Sequence, residues 1–182
     1  MIPYGRQHVD DDDINAVLNV LKSDWLTQGP TIEKFESAMS EYCSASYGVA
    51  VNSATSALHI ACLALGVGKG DIVWTSPNSF VASSNCALYC GAKVDFVDID
   101  INTGNMSVNA LKDKLVYAES IDSLPKAVIP VHFAGQSCDM EQIRLLSKQY
   151  GFFVIEDASH AVGAKFQDSF VGGCKYSDIC VF

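Results

Sequence analysis

The strongest constraint on what this chain can fold into is an alternation that runs from about residue 47 to residue 156. The short apolar runs Tyr47–Val51, Ile72–Thr75, Val94–Ile99, Ala127–Phe133 and Phe152–Glu156 have strand length and are mostly rich in β-branched or aromatic residues. Between them lie stretches with helical character at about 55–65, 80–90, 107–117 and 139–150. Strand, helix, strand in strict succession is the βαβ order. Several of the runs are continuously apolar, as strands of a mostly parallel sheet are when helices cover both faces. The expected fold is therefore α/β, three-layered, with ligands at the carboxyl ends of the strands.

The flanks are simpler. Asp10 to Asp13 precede Ile14, Val17, Leu18 and Leu21 at helical spacing, and acids there suit the positive end of a helix dipole, so the run reads as a solvated cap and not a metal site. Gly29-Pro30 breaks the chain, after which Ile32, Phe35, Met39 and Tyr42 follow a second helical stripe. Beyond residue 156, Lys165-Phe166 and Ser169-Phe170-Val171 flank Gln167-Asp168 as a small hairpin. Gly172-Gly173 is a turn, and Asp178 to Phe182 begins another strand. An end inside a strand leads us to expect an N-terminal fragment of a longer protein.

Composition removes several classes of function. Twelve Lys and Arg against twenty-one Asp and Glu leave a net charge of −9, with no basic tract, which argues against nucleic acid and anionic membrane as partners. No stretch approaches the roughly 18 consecutive apolar residues of a spanning helix, and the first residues lack the pattern of a secretory signal. A soluble, cytoplasmic chain is expected. Its seven cysteines form no C-x-x-C pair and sit mostly in apolar runs, which reads as buried free thiols in a reducing compartment. The histidines have no metal-ligand spacing, and no metal is expected: His59 falls on a helix, and His132 ends an apolar strand as a packed residue would.

Three strand ends could carry chemistry. Asn52-Ser53-Ala54-Thr55-Ser56-Ala57 lies between a strand and a helix, where unpaired amides and small hydroxyls can bind a phosphate, although the same residues cap any helix. Val154-Ile155-Glu156-Asp157-Ala158-Ser159-His160 delivers an acid to the carboxyl edge of the sheet. Such an acid can keep a ring nitrogen protonated, or simply cap a turn. Strand alternation points Glu156 the other way, so Asp157 is the better candidate. In Thr75-Ser76-Pro77-Asn78-Ser79-Phe80 the aromatic could cover a planar ligand or be plain core. The segment Gly66-Val67-Gly68-Lys69-Gly70 lacks the G-x-G-x-x-G and P-loop patterns and is a turn.

Taken together, Asn52–His59, Pro130-Val131-His132-Phe133-Ala134-Gly135-Gln136 and Glu156-Asp157-Ala158-Ser159-His160-Ala161-Val162-Gly163 resemble the sugar aminotransferases of the DegT/DnrJ/EryC1/StrS family, pyridoxal-phosphate enzymes of fold type I. The likeness runs in the same order from about Tyr4 to Phe182. Leu26-Thr27-Gln28-Gly29-Pro30 and Ser79-Phe80-Val81-Ala82 are most similar to members that aminate C4 of a UDP-4-keto-6-deoxy-N-acetylhexosamine on the way to pseudaminic acid.

This resemblance implies the N-terminal segment and most of the coenzyme-binding large domain, incomplete at its C-terminus, with the small domain absent from residues 1–182. It implies that Ser53, Ala54, Thr55 and Ser56 hold the phosphate of pyridoxal 5'-phosphate and that Phe80 stacks on the ring. Asp157 would pair with the ring nitrogen and His160 would lie beside the ring, while Tyr4, Thr27 and Gln28 approach the sugar nucleotide. It further implies an amino-acid donor, glutamate, and a homodimer. The family's coenzyme-bearing lysine is expected just beyond Phe182, and Lys165 and Lys175 do not match it. Two alternatives stay open: a dehydratase of the same family, with histidine in place of that lysine, and a non-catalytic truncated or binding chain.

Overall fold

The computed structural model describes residues 6–182. Helix α1 (Asp11–Leu21) begins where the acidic run places it. Asp10 Oδ1 accepts the amides of Asp12 and Asp13 at 3.0 and 3.2 Å, and the Asp13 carboxylate takes the Asp10 amide at 3.0 Å, a reciprocal capping box. Helix α2 (Pro30–Cys43) starts on a proline, whose fixed φ suits the first helical position. The apolar stripe of α1 finds no cover among the described residues: Ile14, Val17, Leu18 and Leu21 are all exposed.

The alternating region follows as α3 (Ala54–Ala64), β1 (Ile72–Thr75), α4 (Ala82–Tyr89), β2 (Lys93–Phe96), α5 (Val108–Ser120), β3 (Ala127–Ile129), α6 (Met140–Tyr150) and β4 (Phe153–Asp157). A two-stranded antiparallel hairpin, β5 (Lys165–Phe166) with β6 (Ser169–Phe170), precedes β7 (Ile179–Val181). The main sheet has the order β2-β1-β3-β4-β7, and every pairing in it is parallel.

Alternation along each strand sorts the core into two clusters. Val73, Ile129, Ile155 and Val181 pack with Leu58, Ala61 and Cys62 of α3 and with Cys86 and Ala87 of α4. Trp74, Val128 and Val154 face the other way, onto Leu111 and Leu115 of α5 and Met140 and Ile143 of α6. Each fully buried branched side chain contributes about 1.5–3 kcal/mol, so both helical layers are held by the strands' alternate residues. The three-layer parallel architecture is the one expected.

Three strands differ from expectation, the first only in its end: the run Val94–Ile99 pairs with β1 no further than Phe96. Tyr47–Val51 is not a strand: Tyr47 and Val49 are 89% and 78% exposed, and the segment pairs with no strand among the described residues. It is tied instead to α2, through the Ala50 amide donating to Glu36 Oε1 at 2.8 Å. A Cβ on Gly48 would lie 2.7 Å from the Glu36 carbonyl. A strand exists only through its ladder, and apolar composition supplies no partner. The expected run Ala127–Phe133 stops at Ile129, because Pro130 has no N–H for the ladder. Val131 still bridges Asp157 before the chain turns through Phe133–Gly135.

Among the described residues no helix is long and apolar enough to cross a membrane. All seven cysteines are free, and Cys43, Cys62, Cys86 and Cys138 are buried. Burial pushes the Cys138 thiol up to about 12. The Cys62 thiol is raised by its hydrogen bond with Cys86 and by burial, and Cys180 is raised by burial and by the charge of Glu156. A raised thiol stays protonated, and therefore unreactive, at every pH below its shifted value. Alkylation of the native protein at pH 8 should leave Cys62, Cys138 and Cys180 unlabelled while an exposed model thiol reacts fully. Unfolding in guanidinium should release all of them to labelling, as read by peptide mass spectrometry.

Candidate active site

The topology itself marks a ligand crevice. From β1 the chain moves to β2 through α4 on one face, and from β2 it returns across β1 to β3 through α5 on the other. The direction of winding reverses between β1 and β3, and open α/β sheets bind ligands outside the carboxyl ends of the strands at such a point. Asp157 ends β4, immediately beside β3. Its amide donates to the Pro130 carbonyl at 3.0 Å, its carbonyl accepts the His132 amide at 3.0 Å, and the next amide, of Ala158, donates to Val181 at 2.7 Å. Backbone bonds on both sides thus fix the position of this residue.

The side chain of Asp157 lies on the α3–α4 face. Oδ2 accepts the Ser83 hydroxyl at 2.6 Å, and Oδ1 accepts the Ser159 hydroxyl at 2.7 Å and the Ser159 amide at 3.3 Å. The residue is 5% exposed, yet among the described residues no Lys, Arg or His forms an ion pair with it. A buried carboxylate without a cation is costly, and a positively charged hydrogen-bond donor at the sheet's edge would relieve that cost. The donor set therefore fits a protonated ring nitrogen.

Glu156 points to the opposite face. Its Oε2 lies 2.8 Å from His132 Nε2, and its Oε1 accepts the Ser177 hydroxyl. The Cys138 amide donates to His132 Nδ1 at 3.2 Å, so Nδ1 is bare and the ring proton sits on Nε2, aimed at Glu156. Both groups are buried and internally satisfied. His132 is the packed residue that its place at a strand end suggests.

At the start of α3, Ser53 is the N-cap and its Oγ accepts the Ser56 amide at 3.2 Å. The Ser56 hydroxyl donates to Asn52 Oδ1 at 2.8 Å. Among the described residues the amides of Ala54 and Thr55 have no partner, and the turn is open to solvent. Unpaired amides, hydroxyls and the positive end of the helix suit a phosphate. Phe80 is 74% exposed, which rules out plain core and leaves an aromatic face available at the start of α4.

The remaining candidates are more loosely placed. His160 is exposed on the turn after Asp157, and Thr27 and Gln28 are exposed between α1 and α2. Among the described residues no hydrogen bond joins any of these three side chains to the Asp157 cluster. Tyr4 lies outside the described residues. Lys165 Nζ stands 4.4 Å over the Phe170 ring and Lys175 Nζ 5.0 Å over Tyr176, so both are engaged with the hairpin region. Sequence reasoning missed Ser83 and Ser159 as partners of Asp157. A signal for Ser83 was present: it falls in the first turn of α4, on the same helical face as Cys86 and Ala87.

Comparison with known proteins identifies the family. The model of the DegT/DnrJ/EryC1/StrS aminotransferase family matches residues 7–182. The chain belongs to this family. It is 42% identical to a UDP-4-amino-4,6-dideoxy-N-acetyl-beta-L-altrosamine transaminase of Campylobacter jejuni, an alignment covering 100% of this chain and 46% of that protein. Helicobacter pylori PseC, described as an aminotransferase involved in the biosynthesis of pseudoaminic acid, superposes with a TM-score of 0.85 at 34% identity, over 93% of this chain and 44% of that one. The Streptococcus pneumoniae protein Spr1654 in its PLP-form superposes with a TM-score of 0.83 at 27% identity, over 97% and 47%. The chain spans less than half the length of the curated relatives it matches, 42% to 46% for three of them.

In this aminotransferase-family chain two sequence motifs meet at Gly135. Its φ is +86°, and a Cβ there would lie 2.9 Å from the carbonyl oxygen of His160. Gly135→Ala should therefore cost about 1–3 kcal/mol, from left-handed strain and a backbone collision. It should also shift the 158–160 turn. Thermal unfolding of the native and variant proteins measures the loss.

Proposed function

We propose that these residues form the coenzyme-binding part of a pyridoxal-phosphate-dependent aminotransferase. It transfers an amino group, from an amino acid such as glutamate, to C4 of a UDP-4-keto-6-deoxy-N-acetylhexosamine. The observation that carries the reading is the buried Asp157 carboxylate, 5% exposed and without a cation among the described residues, at the carboxyl end of β4. Family membership and the printed activity of the Campylobacter jejuni relative support the sugar class.

The coenzyme would supply an electron sink for a carbanion next to nitrogen. The chain's own residues bind and orient it. Ser53, Ala54, Thr55 and Ser56 meet the phosphate with amides and hydroxyls, Phe80 covers one face of the ring, and Asp157 holds the proton on the ring nitrogen. His160, on the same turn as Asp157, would lie beside the ring. Thr27, Gln28 and Tyr4 are assigned to the sugar nucleotide. We assign the coenzyme-bearing lysine and the small domain to the family positions beyond Phe182.

The exposed apolar stripe of α1 and the exposed Phe80 favour a homodimer whose site lies near the subunit boundary. We place the protein in the cytoplasm, in keeping with its free, buried thiols.

Asp157→Asn in the full-length protein tests the reading. A carboxylate beside a cation favours its protonated form by about one to three pKa units, so the amide should retain measurable coenzyme binding and lose about ten- to a thousand-fold in turnover. Steady-state amino transfer and absorbance of the bound coenzyme measure the two effects. Unchanged turnover would remove Asp157 from its role.

A further inference from the structure

We propose that Ser83 is a positioning residue, which locks the Asp157 carboxylate to the turn that presents Phe80. The inference rests on the coenzyme reading above and extends it to a side chain to which that reading gives no role. Ser83 is fully buried in the first turn of α4, an unusual place for a hydroxyl unless its bonds are specified. Its single proton has two acceptors in reach, Asp157 Oδ2 at 2.6 Å and the Phe80 carbonyl at 3.1 Å. The shorter bond to the charged acceptor takes the proton. The Ser79 hydroxyl lies 2.8 Å from Ser83 Oγ and 3.1 Å from the Phe80 carbonyl, so it donates to Ser83. The result is a directed chain, Ser79 to Ser83 to Asp157.

The two hydroxyls on Asp157 are not equivalent. Ser159 is two residues away on the same turn and moves with it. Ser83 comes from another element, 74 residues away in sequence, and stands three residues after Phe80. Of the two, only the Ser83 bond relates the carboxylate to the aromatic ring, and hence the contact at the ring nitrogen to the contact on the ring face. A carboxylate oxygen has two acceptor directions, so Oδ2 can accept Ser83 and still accept a second donor.

The test compares Ser83→Thr with Ser83→Val in the full-length protein, since these side chains share a shape and differ in the hydroxyl. Ser83→Thr should bind pyridoxal phosphate as the native protein does and keep the induced circular dichroism of the bound ring. Ser83→Val, like Ser83→Ala, should bind about ten-fold more weakly, the factor a lost charge-assisted hydrogen bond predicts. It should also reduce or invert that dichroic band, which reports ring orientation and not stability. A Ser83→Thr protein that behaves as Ser83→Val does, in binding, spectrum or solubility, overturns the inference, as does a Ser83→Val protein indistinguishable from native. A native protein that takes up no coenzyme overturns the coenzyme reading and this inference together. Native uptake with Thr and Val alike overturns the inference alone.

Discussion

An anion shut away from water, with hydroxyls but no cation around it among the described residues, is the condition on which the rest of this structure turns. Asp157 has a hydroxyl at each oxygen, and neutral hydrogen bonds compensate only part of what a carboxylate loses on burial. Natural sequences keep such an arrangement where a ligand completes it, because elsewhere an asparagine or an apolar residue would be more stable. The surrounding order serves to hold that charge in place. The strand carrying it is bonded on both sides, by the chain leaving β3 and by β7.

The position of the charge follows from how parallel strands connect. Crossovers in such sheets are right-handed, so a chain that first extends the sheet in one direction and then in the other must place its helices on opposite faces. Here α4 covers one face and α5 with α6 the other, and the helices' starts diverge at the carboxyl edge between β1 and β3. Open α/β sheets bind ligands at such an edge, and it is there that the first turn of α4 meets the end of β4, through Ser83 and Asp157.

Neighbouring acids in β4 have separate duties because a strand sends successive side chains to opposite faces. Glu156 is absorbed into a buried cluster with His132 and Ser177 and is structurally satisfied. Asp157 faces the side on which α3 and α4 begin. A one-residue slip of β4 would exchange them and put the internally paired acid where the free one is needed. The backbone bonds from the Asp157 amide to the Pro130 carbonyl and from the His132 amide to the Asp157 carbonyl hold the observed register.

How much of this was legible beforehand divides along physical lines. Periodicity is local, so α1 with its Asp10 cap, α2, the α/β alternation and the hairpin at residues 165–170 were readable from residue spacing alone. The split between Glu156 and Asp157 was readable too, since alternation is a property of any strand. Pairing is not local: Tyr47–Val51 has strand composition but no ladder among the described residues, and Pro130 ends β3 early while its neighbours still bridge to β4. Motif order identified the candidate phosphate turn and the acid at the sheet's edge. Only the folded chain could show that this acid lacks a cation among the described residues, that Phe80 is exposed, and that Ser83 reaches the acid from a helix. Sequence alone determined the helices, most of the strands and the residue types at their ends, because those depend on neighbours along the chain. The tertiary structure decided which of those ends share a bond, because that depends on a sheet order that no local spacing encodes.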